Sequence, residues 1–162
     1  MAEAGAIDLG RLYREHGHVV RRRAHRILGS EAEAAEVLQE VFLSLVDRPD
    51  QFRGDSSITT FLYAMTTNAC LTRLRNSRRR AALVERELAP RGEPVSVGPD
   101  ATVDAQRFLA ALPERLARVA VYYYLDEMTH EEIAELLGVS RRQVGNLVNR
   151  ITEEARKRDR AA

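Results

Sequence analysis

The chain has 162 residues, of which 44% are hydrophobic, 30% are charged and 6% are aromatic, and its net charge is +1. A single cysteine excludes a disulfide-rich fold, and no apolar run reaches the roughly 18 residues of a transmembrane helix. The first residues lack the basic segment and apolar core of a secretory signal. We therefore expect a cytoplasmic protein of one or two small domains, without membrane insertion.

The charged residues divide the chain into three parts. Residues 1–80 hold 13 basic and 10 acidic side chains, residues 81–104 hold 2 and 5, and residues 105–162 hold 10 and 9. All but one of the 25 basic residues are arginine, which pairs bidentately with phosphate and guanine. A genome rich in guanine and cytosine would favour arginine codons in the same way, so this bias alone does not identify a partner.

The first basic block has the spacing of apolar residues that is typical of amphipathic helices. Leu9, Leu12 and Val20 fit a first helix. Ser30 is placed to cap a second helix, which ends before Pro49. The apolar stripe of this second helix consists of Val37, Leu38, Val41, Phe42 and Leu45. A loop, FRGDSS, then leads into a third helix that begins near ITTFLY.

A linker is predicted in the middle of the chain. Residues 89–101, APRGEPVSVGPDA, contain three prolines and two glycines and show no periodicity. With its acidic flanks, this segment predicts a flexible linker over residues 81–104. Helical spacing resumes in residues 105–160, with Pro113 at the start of a helix. We therefore predict an all-α fold of two small helical domains, residues 5–80 and residues 105–160, joined by that linker.

Residues 129–150 predict a helix-turn-helix. Thr129 is placed to cap a first helix, with Glu132 completing a capping box. Gly138 stands where the end of that helix needs a left-handed residue, and Ser140 with Gln143 repeats the capping box for a second helix. Two short capped helices joined by Gly-Val-Ser have the spacing of this motif.

The second helix of such a motif enters the major groove of DNA. Arginine can pair with guanine, and glutamine or asparagine with adenine. The expected contacts are Ser140, Arg141, Arg142, Gln143, Asn146, Asn149 and Arg150. The alternative is a plain helical hairpin with a solvated polar face. Gly145, in the middle of this helix, either lets the backbone approach DNA closely or is a tolerated substitution on an exposed face.

Three motifs in order narrow the interpretation. AEVLQEVFLSLV, then FRGDSSITTFLYAMTTNACLTRLR and, after the linker, the helix-turn-helix resemble the extracytoplasmic-function (ECF) group of sigma-70 family sigma factors. The resemblance runs from about Leu9 to Arg158. It implies a transcription initiation factor that binds core RNA polymerase and directs it to specific promoters. Residues 5–80 would be region 2, and residues 105–160 would be region 4.

The resemblance also implies roles for residues of region 2. An acidic helix face would dock on the clamp helices of the polymerase β′ subunit through Glu33, Glu36, Gln39 and Glu40. The minus-ten element would be recognised and melted through Phe52, Asp55, Ser56, Thr60, Phe61, Tyr63, Asn68, Arg73 and Arg75. Melting needs aromatic wedges, a pocket for a flipped base and arginines on the strand backbone. Core packing is the alternative for Phe61 and Tyr63.

Region 4 would read the minus-thirty-five element through the helix-turn-helix and touch the polymerase β flap. The chain departs from the family at several positions. Phe61 stands where tryptophan is usual, and Gly145 and Leu147 stand where lysine and arginine are frequent. The last two departures predict the loss of two phosphate contacts.

No catalytic constellation is present in the sequence, so we expect no enzyme activity, no catalytic residue, no metal and no cofactor. His16 and His18 are too small a set for a metal site. An anti-sigma factor is a candidate partner. Two alternatives stay open: a stand-alone helix-turn-helix regulator, and a sigma-like decoy that occupies an anti-sigma factor without contacting DNA.

Overall fold

The computed structural model describes residues 8–88 and 101–161, and within them all regular structure is helical, which confirms the predicted all-α fold. The α-helices are α1 (Leu9–Leu28), α2 (Glu31–Asp47), α3 (Ile58–Leu88), α4 (Ala101–Ala111), α5 (Glu114–Ala120), α6 (His130–Leu137) and α7 (Arg141–Ala161). A 3₁₀ turn at Pro49–Gln51 follows α2, and a π-helical turn at Val121–Leu125 follows α5. No helix in the described ranges is both long enough and apolar enough to cross a lipid bilayer.

The chain forms two compact units, Met1–Cys70 and Leu71–Ala162, as expected for two small helical domains. The boundary between the units falls within α3, which continues to Leu88. The first part of the predicted linker is therefore helical. Residues 81–88, AALVEREL, contain no proline or glycine and are mostly good helix formers. They were predicted to belong to the linker because of their acidic charge. Residues 89–100 of the predicted linker lie outside the described residues.

The core of the first unit includes the contact between α1 and α2. All five residues predicted as the apolar stripe of α2 are buried, and Val20, Ala24 and Ile27 are among the buried residues of α1. Burial of each large aliphatic side chain contributes about 1.5–3 kcal/mol. Ser30 caps α2, because its side chain accepts a hydrogen bond from the Glu33 backbone N–H at 3.3 Å.

The core of the second unit is built on α7, which packs against α5 and α6. Its fully buried side chains include Val119, Tyr122, Ile133, Val144 and Ile151. In the π-helical turn, the N–H of Asp126 donates to the carbonyl of Val121 at 3.0 Å. This wide turn buries Tyr122 and leaves Tyr124 56% exposed. The apolar side of α7 is therefore buried in this core.

Candidate nucleic-acid interface

Both helices of the helix-turn-helix carry the predicted capping boxes. Thr129 Oγ1 accepts a hydrogen bond from the Glu132 N–H at 3.2 Å, and Glu132 Oε2 accepts one from the Thr129 N–H at 2.7 Å. The same reciprocal pair joins Ser140 and Gln143 at 3.1 and 2.9 Å. Gly138 ends α6 with φ 64° and ψ 37°, a left-handed conformation that suits glycine. These caps determine where α7 begins and so where its polar face lies.

The polar face of α7 is open to solvent. The exposed residues include all seven that were predicted to contact DNA: Ser140, Arg141, Arg142, Gln143, Asn146, Asn149 and Arg150. The other side of α7 is buried through Val144, Leu147, Val148 and Ile151. An exposed polar face on a helix held from behind is the arrangement that entry into the major groove requires. Contact of these seven residues with DNA stays a prediction.

The capping box restricts what Gln143 can recognise. Its Oε1 atom accepts the hydrogen bond from the Ser140 N–H, so the carboxamide is held against the start of α7. The Nε2 group keeps its donors, whereas bidentate pairing with adenine needs Oε1 as well. With the capping box intact, the Nε2 donors and one lone pair of Oε1 remain for other partners, and contact of Gln143 with a base stays a prediction.

Arg141 has a partner that the sequence analysis did not identify. Its Nε atom lies 2.9 Å from Oε1 of Glu131 in α6, and the two side chains are 70% and 61% exposed. An exposed pair of this kind contributes about 0–1 kcal/mol, so DNA can displace it at small cost. In the sequence, the only indication of this ion pair was an acidic residue in the first turn of α6. A favourable interaction with the helix dipole explains an acidic residue at that position equally well.

Gly145 and Leu147 occupy packing positions. Leu147 is 7% exposed, so this departure from the family fills the core, and the loss of a phosphate contact at this position stays a prediction. A Cβ atom on Gly145 would lie 3.8 Å from the His130 ring of α6, at ordinary van der Waals distance. Gly145 therefore faces α6, which favours a tolerated substitution over close approach of its backbone to DNA.

Phe52 and Phe61 form an aromatic pair beside the start of α3. Their ring centroids are 5.3 Å apart with an angle of 59° between the ring planes, and both residues are half-buried. A half-buried ring can pack against its neighbour and still offer surface to a base. Core packing and a wedge role are therefore compatible for Phe61.

The loop before α3 is polar and ends in a helix cap. Asp55 and Ser56 are exposed in it. Ser57 caps α3, since its Oγ atom accepts a hydrogen bond from the Thr60 N–H at 3.1 Å and lies 2.9 Å from Thr60 Oγ1. Thr60 is thus tied to the cap, while the groups of Asp55 and Ser56 face solvent.

Tyr63 contacts an arginine that the sequence analysis missed. Arg23 of α1 is 6% exposed, and its guanidinium carbon lies 3.3 Å from the centre of the Tyr63 ring. Nε and Nη2 of Arg23 also donate to Thr67 Oγ1 at 3.0 and 2.8 Å. Arg23 therefore holds one face of the Tyr63 ring. Only the tertiary structure reveals this contact, because the two residues are forty positions apart.

The other predicted minus-ten residues are spread along α3. Asn68 is exposed in the first unit. Arg73 and Arg75 are half-buried, follow Phe61 by more than three helical turns, and belong to the second unit. The structure thus brings Phe52 and Phe61 together, and the two arginines are not part of that cluster.

The outer face of α2 combines acidic and apolar groups. Of the predicted polymerase-binding residues, Glu33 is half-buried, and the exposed ones are Glu36, Gln39 and Glu40. Beside them lie Leu43 and Val46, which are 60% and 56% exposed. This apolar pair was not predicted from the sequence, because it lies outside the buried stripe of α2. Exposed apolar side chains next to charges mark a surface that suits a protein partner.

Two family models match the chain in the order of its two units. Sigma-70 region 2 matches residues 12–80, and Sigma-70 region 4 matches residues 102–152. The chain belongs to the sigma-70 family. The two aromatic rings at the start of α3 therefore lie in region 2 of a sigma factor, and the helix-turn-helix lies in region 4.

Relatives of this sigma factor are members of the ECF group. ECF RNA polymerase sigma factor SigW of Bacillus subtilis (strain 168) is 26% identical over 149 residues, which cover 82% of this chain and 79% of SigW. ECF RNA polymerase sigma factor SigE of Mycolicibacterium smegmatis is 30% identical over 152 residues, covering 90% of this chain and 59% of SigE. The predicted membership of the ECF group is confirmed, and with it the predicted function in promoter-specific transcription initiation.

A solved sigma factor structure has a similar fold. It is that of RpoE from Bartonella quintana, co-crystallised with the anti-sigma factor NepR. The TM-score is 0.51 at 15% sequence identity, and the match covers 93% of this chain and 95% of RpoE. At this identity the likeness concerns the fold alone.

Proposed function

We propose that this sigma factor binds core RNA polymerase through the outer face of α2 and directs it to a two-part promoter. Glu36 and Glu40 are exposed there next to Leu43 and Val46. The apolar pair supplies affinity when it leaves water, and the carboxylates favour a basic helical partner such as the β′ clamp helices. Gln39 and Glu33 complete the face, and the β flap is the proposed partner of region 4.

In this proposal the first unit opens the minus-ten element. The Phe52–Phe61 pair offers an aromatic surface on which an unstacked base can lie. Asp55 and Ser56 offer polar groups to a flipped base, and Thr60 lies beside them at the helix start. The pair is the central element of the proposal, because an aromatic surface beside an exposed polar loop can compensate for lost base stacking.

The remaining residues of the proposed minus-ten surface hold the separated strand. Arg23 keeps the Tyr63 ring in one orientation, so the strand meets a rigid surface. Asn68 is exposed and can bond a base edge or the backbone. Further along the chain, Arg73 and Arg75 supply cations for phosphates.

The second unit reads the minus-thirty-five element in this proposal. Arg142 is exposed at the start of α7 and is the residue best placed for bidentate pairing with guanine. Arg141 joins it when DNA displaces Glu131. Asn146 can pair with adenine, and Asn149 and Arg150 lie one turn further along for phosphate contacts.

In this proposal the chain binds core polymerase and promoter DNA and separates the DNA strands, whereas the polymerase adds the nucleotides. The chain is therefore not an enzyme, and its site of action is the cytoplasm. We take residues 5–80 as region 2, residues 81–104 as the connection and residues 105–160 as region 4. An anti-sigma factor, as seen with RpoE, is a proposed partner that would keep the chain inactive.

Permanganate oxidation of unpaired thymines tests the proposal. We expect the complex with core polymerase to expose reactive thymines at the minus-ten element. Phe61→Ala should slow this opening by about 5- to 160-fold, since stacking of a base on an aromatic ring contributes about 1–3 kcal/mol. Binding of the closed complex should change little.

Permanganate oxidation, together with run-off transcription and an anti-sigma binding assay, separates the proposal from its alternatives. A complex that exposes no thymine on any template favours a stand-alone helix-turn-helix regulator. A chain that binds an anti-sigma factor but initiates no transcription with core polymerase favours the decoy.

A further inference from the structure

The helix α1 carries a charged face that none of the proposed contacts uses. Its exposed side chains include five arginines and two histidines: Arg11, Arg14, His18, Arg21, Arg22, His25 and Arg26. At 3.6 residues per turn these side chains fall within an arc of about 140°, and they extend over about 22 Å of helix. We call these seven residues the basic stripe.

Carboxylates neutralise only part of the basic stripe. Arg11 Nε lies 2.7 Å from Oε1 of Glu15, and Arg21 Nη2 lies 2.8 Å from Oε2 of Glu31 in α2. The Glu31 carboxylate also lies 3.9 Å from His25 Nε2. Asp8 is a further carboxylate close to Arg11. The positive charge of the stripe therefore rests mainly on Arg14 and Arg22, whether or not its histidines are charged.

Arg14 and Arg22 keep their donors available. Both are exposed, and within the described parts of the chain no salt bridge joins either of them to a carboxylate. His18 lies between them on the same face. An external anion can therefore bind this part of the stripe without displacing an existing ion pair.

The apolar side chains of α1 lie outside the arc of the stripe, and most of them are packed against other helices. Tyr13 is 50% exposed, and its ring packs edge-on against Phe42 of α2. Leu12, Val20 and Ala24 are buried on the other side of the helix, and Arg23 is turned inward to Tyr63. No aliphatic or aromatic side chain falls within the arc of the stripe. Protein partners dock mainly through aromatic and aliphatic anchors and single arginines set among them. Glu15, the partner of Arg11, lies within the same arc, but the face is built mainly from cations. Such a face suits a partner whose charges repeat at regular intervals.

We propose that the basic stripe binds the sugar–phosphate backbone of duplex DNA. One strand of a duplex carries a charge every 3.4 Å, so about 22 Å of stripe can face about six phosphates. Guanidinium groups bind phosphate oxygens bidentately, which suits a face built mainly from arginine. The contact is independent of sequence. It adds to region 2 an anchor on duplex DNA, separate from strand opening by α3 and from base reading by α7.

The charge requirement is tested with Arg14→Gln/Arg22→Gln in the full chain. Arg115→Gln/Arg160→Gln is the matched control, because it removes the same charge from exposed positions of α5 and α7. Fluorescence anisotropy measures the affinity for a duplex without promoter elements over a series of salt concentrations, and circular dichroism checks the fold. Each lost phosphate contact changes the slope of log affinity against log salt by about 0.9. We expect the stripe variant to lose about 1.8 units of slope and the control variant to keep the wild-type slope.

Several outcomes overturn the proposal. They are an unchanged slope in the stripe variant, and an equal loss in both variants, which would reflect net charge alone. Poly-L-glutamate serves as a second probe: if the stripe variant loses binding to it but keeps binding to the duplex, the stripe docks an acidic protein. None of these measurements involves polymerase, so their failure is distinguishable from failure of the proposed function.

The location of the contact is tested by tethered cleavage. Cys70 is the single cysteine of the sequence and is buried, so His18→Cys provides a unique site for an iron chelate that cuts nearby DNA. We expect cleavage of the duplex from His18→Cys. Val46→Cys, at a 56% exposed position of α2, is the matched control and should give none. Absence of cleavage from His18→Cys, or equal cleavage from both positions, overturns the proposal.

Discussion

At Gly145, the missing side chain costs α7 about 1 kcal/mol relative to alanine, because glycine loses more backbone freedom when a helix forms. A Cβ atom would meet the His130 ring at 3.8 Å, which requires no rearrangement. We therefore expect Gly145→Ala to stabilise the protein by about 1 kcal/mol. The shift of the urea unfolding midpoint measures this effect.

Gly138→Ala is the matched contrast to that substitution. A Cβ atom on Gly138 would meet no neighbour within 4 Å, but the φ of +64° strains any residue with a side chain. Gly138→Ala should destabilise the protein by about 1–2 kcal/mol. Stabilisation by both substitutions, or by neither, would contradict the assignment of Gly145 to a spacious helical position.

The ion pair between Glu131 and Arg141 competes with DNA for the same guanidinium. We expect Glu131→Gln to tighten binding of the polymerase complex to minus-thirty-five DNA by up to about fivefold, since an exposed pair contributes about 0–1 kcal/mol. The salt dependence should also become steeper as Arg141 turns to phosphate. Titration of the complex on a fluorescent duplex at several salt concentrations measures both quantities.

Glu135→Gln is the control for the loss of one acidic charge, because Glu135 is exposed on the same helix. It should leave the salt dependence near that of the wild type. If Glu131→Gln and Glu135→Gln act alike, the ion pair with Arg141 has no special role. If Arg141→Gln leaves the effect of Glu131→Gln intact, the carboxylate acts through another group.

At the scale of the helix, the capping box of α6 makes stability depend on pH. Hydrogen bonds from the Thr129 backbone N–H and then from the Thr129 hydroxyl lower the pKa of Glu132 below its ordinary value of 4.5. The folded chain therefore binds this proton less tightly than the unfolded chain does. The stabilisation is fully present above about pH 4.5 and is lost as the pH falls through the lower, folded-state pKa.

Glu132→Gln tests this dependence, because glutamine keeps the capping geometry and removes the charge. The variant should have a lower thermal midpoint than the wild type at pH 7, and the difference should shrink as the pH falls below 4.5. The start of α7 provides a mirror-image control, since Gln143→Glu should introduce a dependence of the same sign there. A constant difference between Glu132→Gln and wild type at all pH values would show that the carboxylate charge does not act through the cap.

At the scale of the whole molecule, strand opening is assigned to region 2 and upstream reading to region 4. Arg142→Ala should weaken closed-complex formation by about 1–3 kcal/mol, the typical contribution of a bidentate base contact. Phe61→Ala should act on opening instead. Because the two residues share no contact partner in the proposal, the free-energy effects on the complete initiation reaction should add within about 0.5 kcal/mol in the double variant.

Run-off transcription combined with permanganate kinetics measures the two steps for the wild type, both single variants and the double variant. Tethering of two weak contacts raises their joint affinity, but each contact still acts on its own step, either closed-complex formation or strand opening. A double variant that departs strongly from the sum, or a Phe61→Ala that weakens the closed complex as much as Arg142→Ala, would contradict the division of labour between the two regions.

The sequence by itself predicted the features that depend on residues close together along the chain. The capping pairs of α6 and α7, the left-handed Gly138 and the buried stripe of α2 all follow from residues three or four positions apart. The order of the motifs was sufficient to identify the family, because regions 2 and 4 each span a continuous segment of the chain. The linker was placed too early, since helix-forming residues continue past residue 80.

Only the tertiary structure decided which side chains meet across helices. Arg23 against Tyr63, Glu131 against Arg141 and Gly145 beside His130 join residues from different helices. Leu147 likewise became a core residue because α5 and α6 cover that side of α7. Periodicity tells which residues share a face of one helix, but the partner of that face depends on how the helices pack. For that reason the sequence predicted the polar residues of each interface, while the structure determined which of them are already engaged.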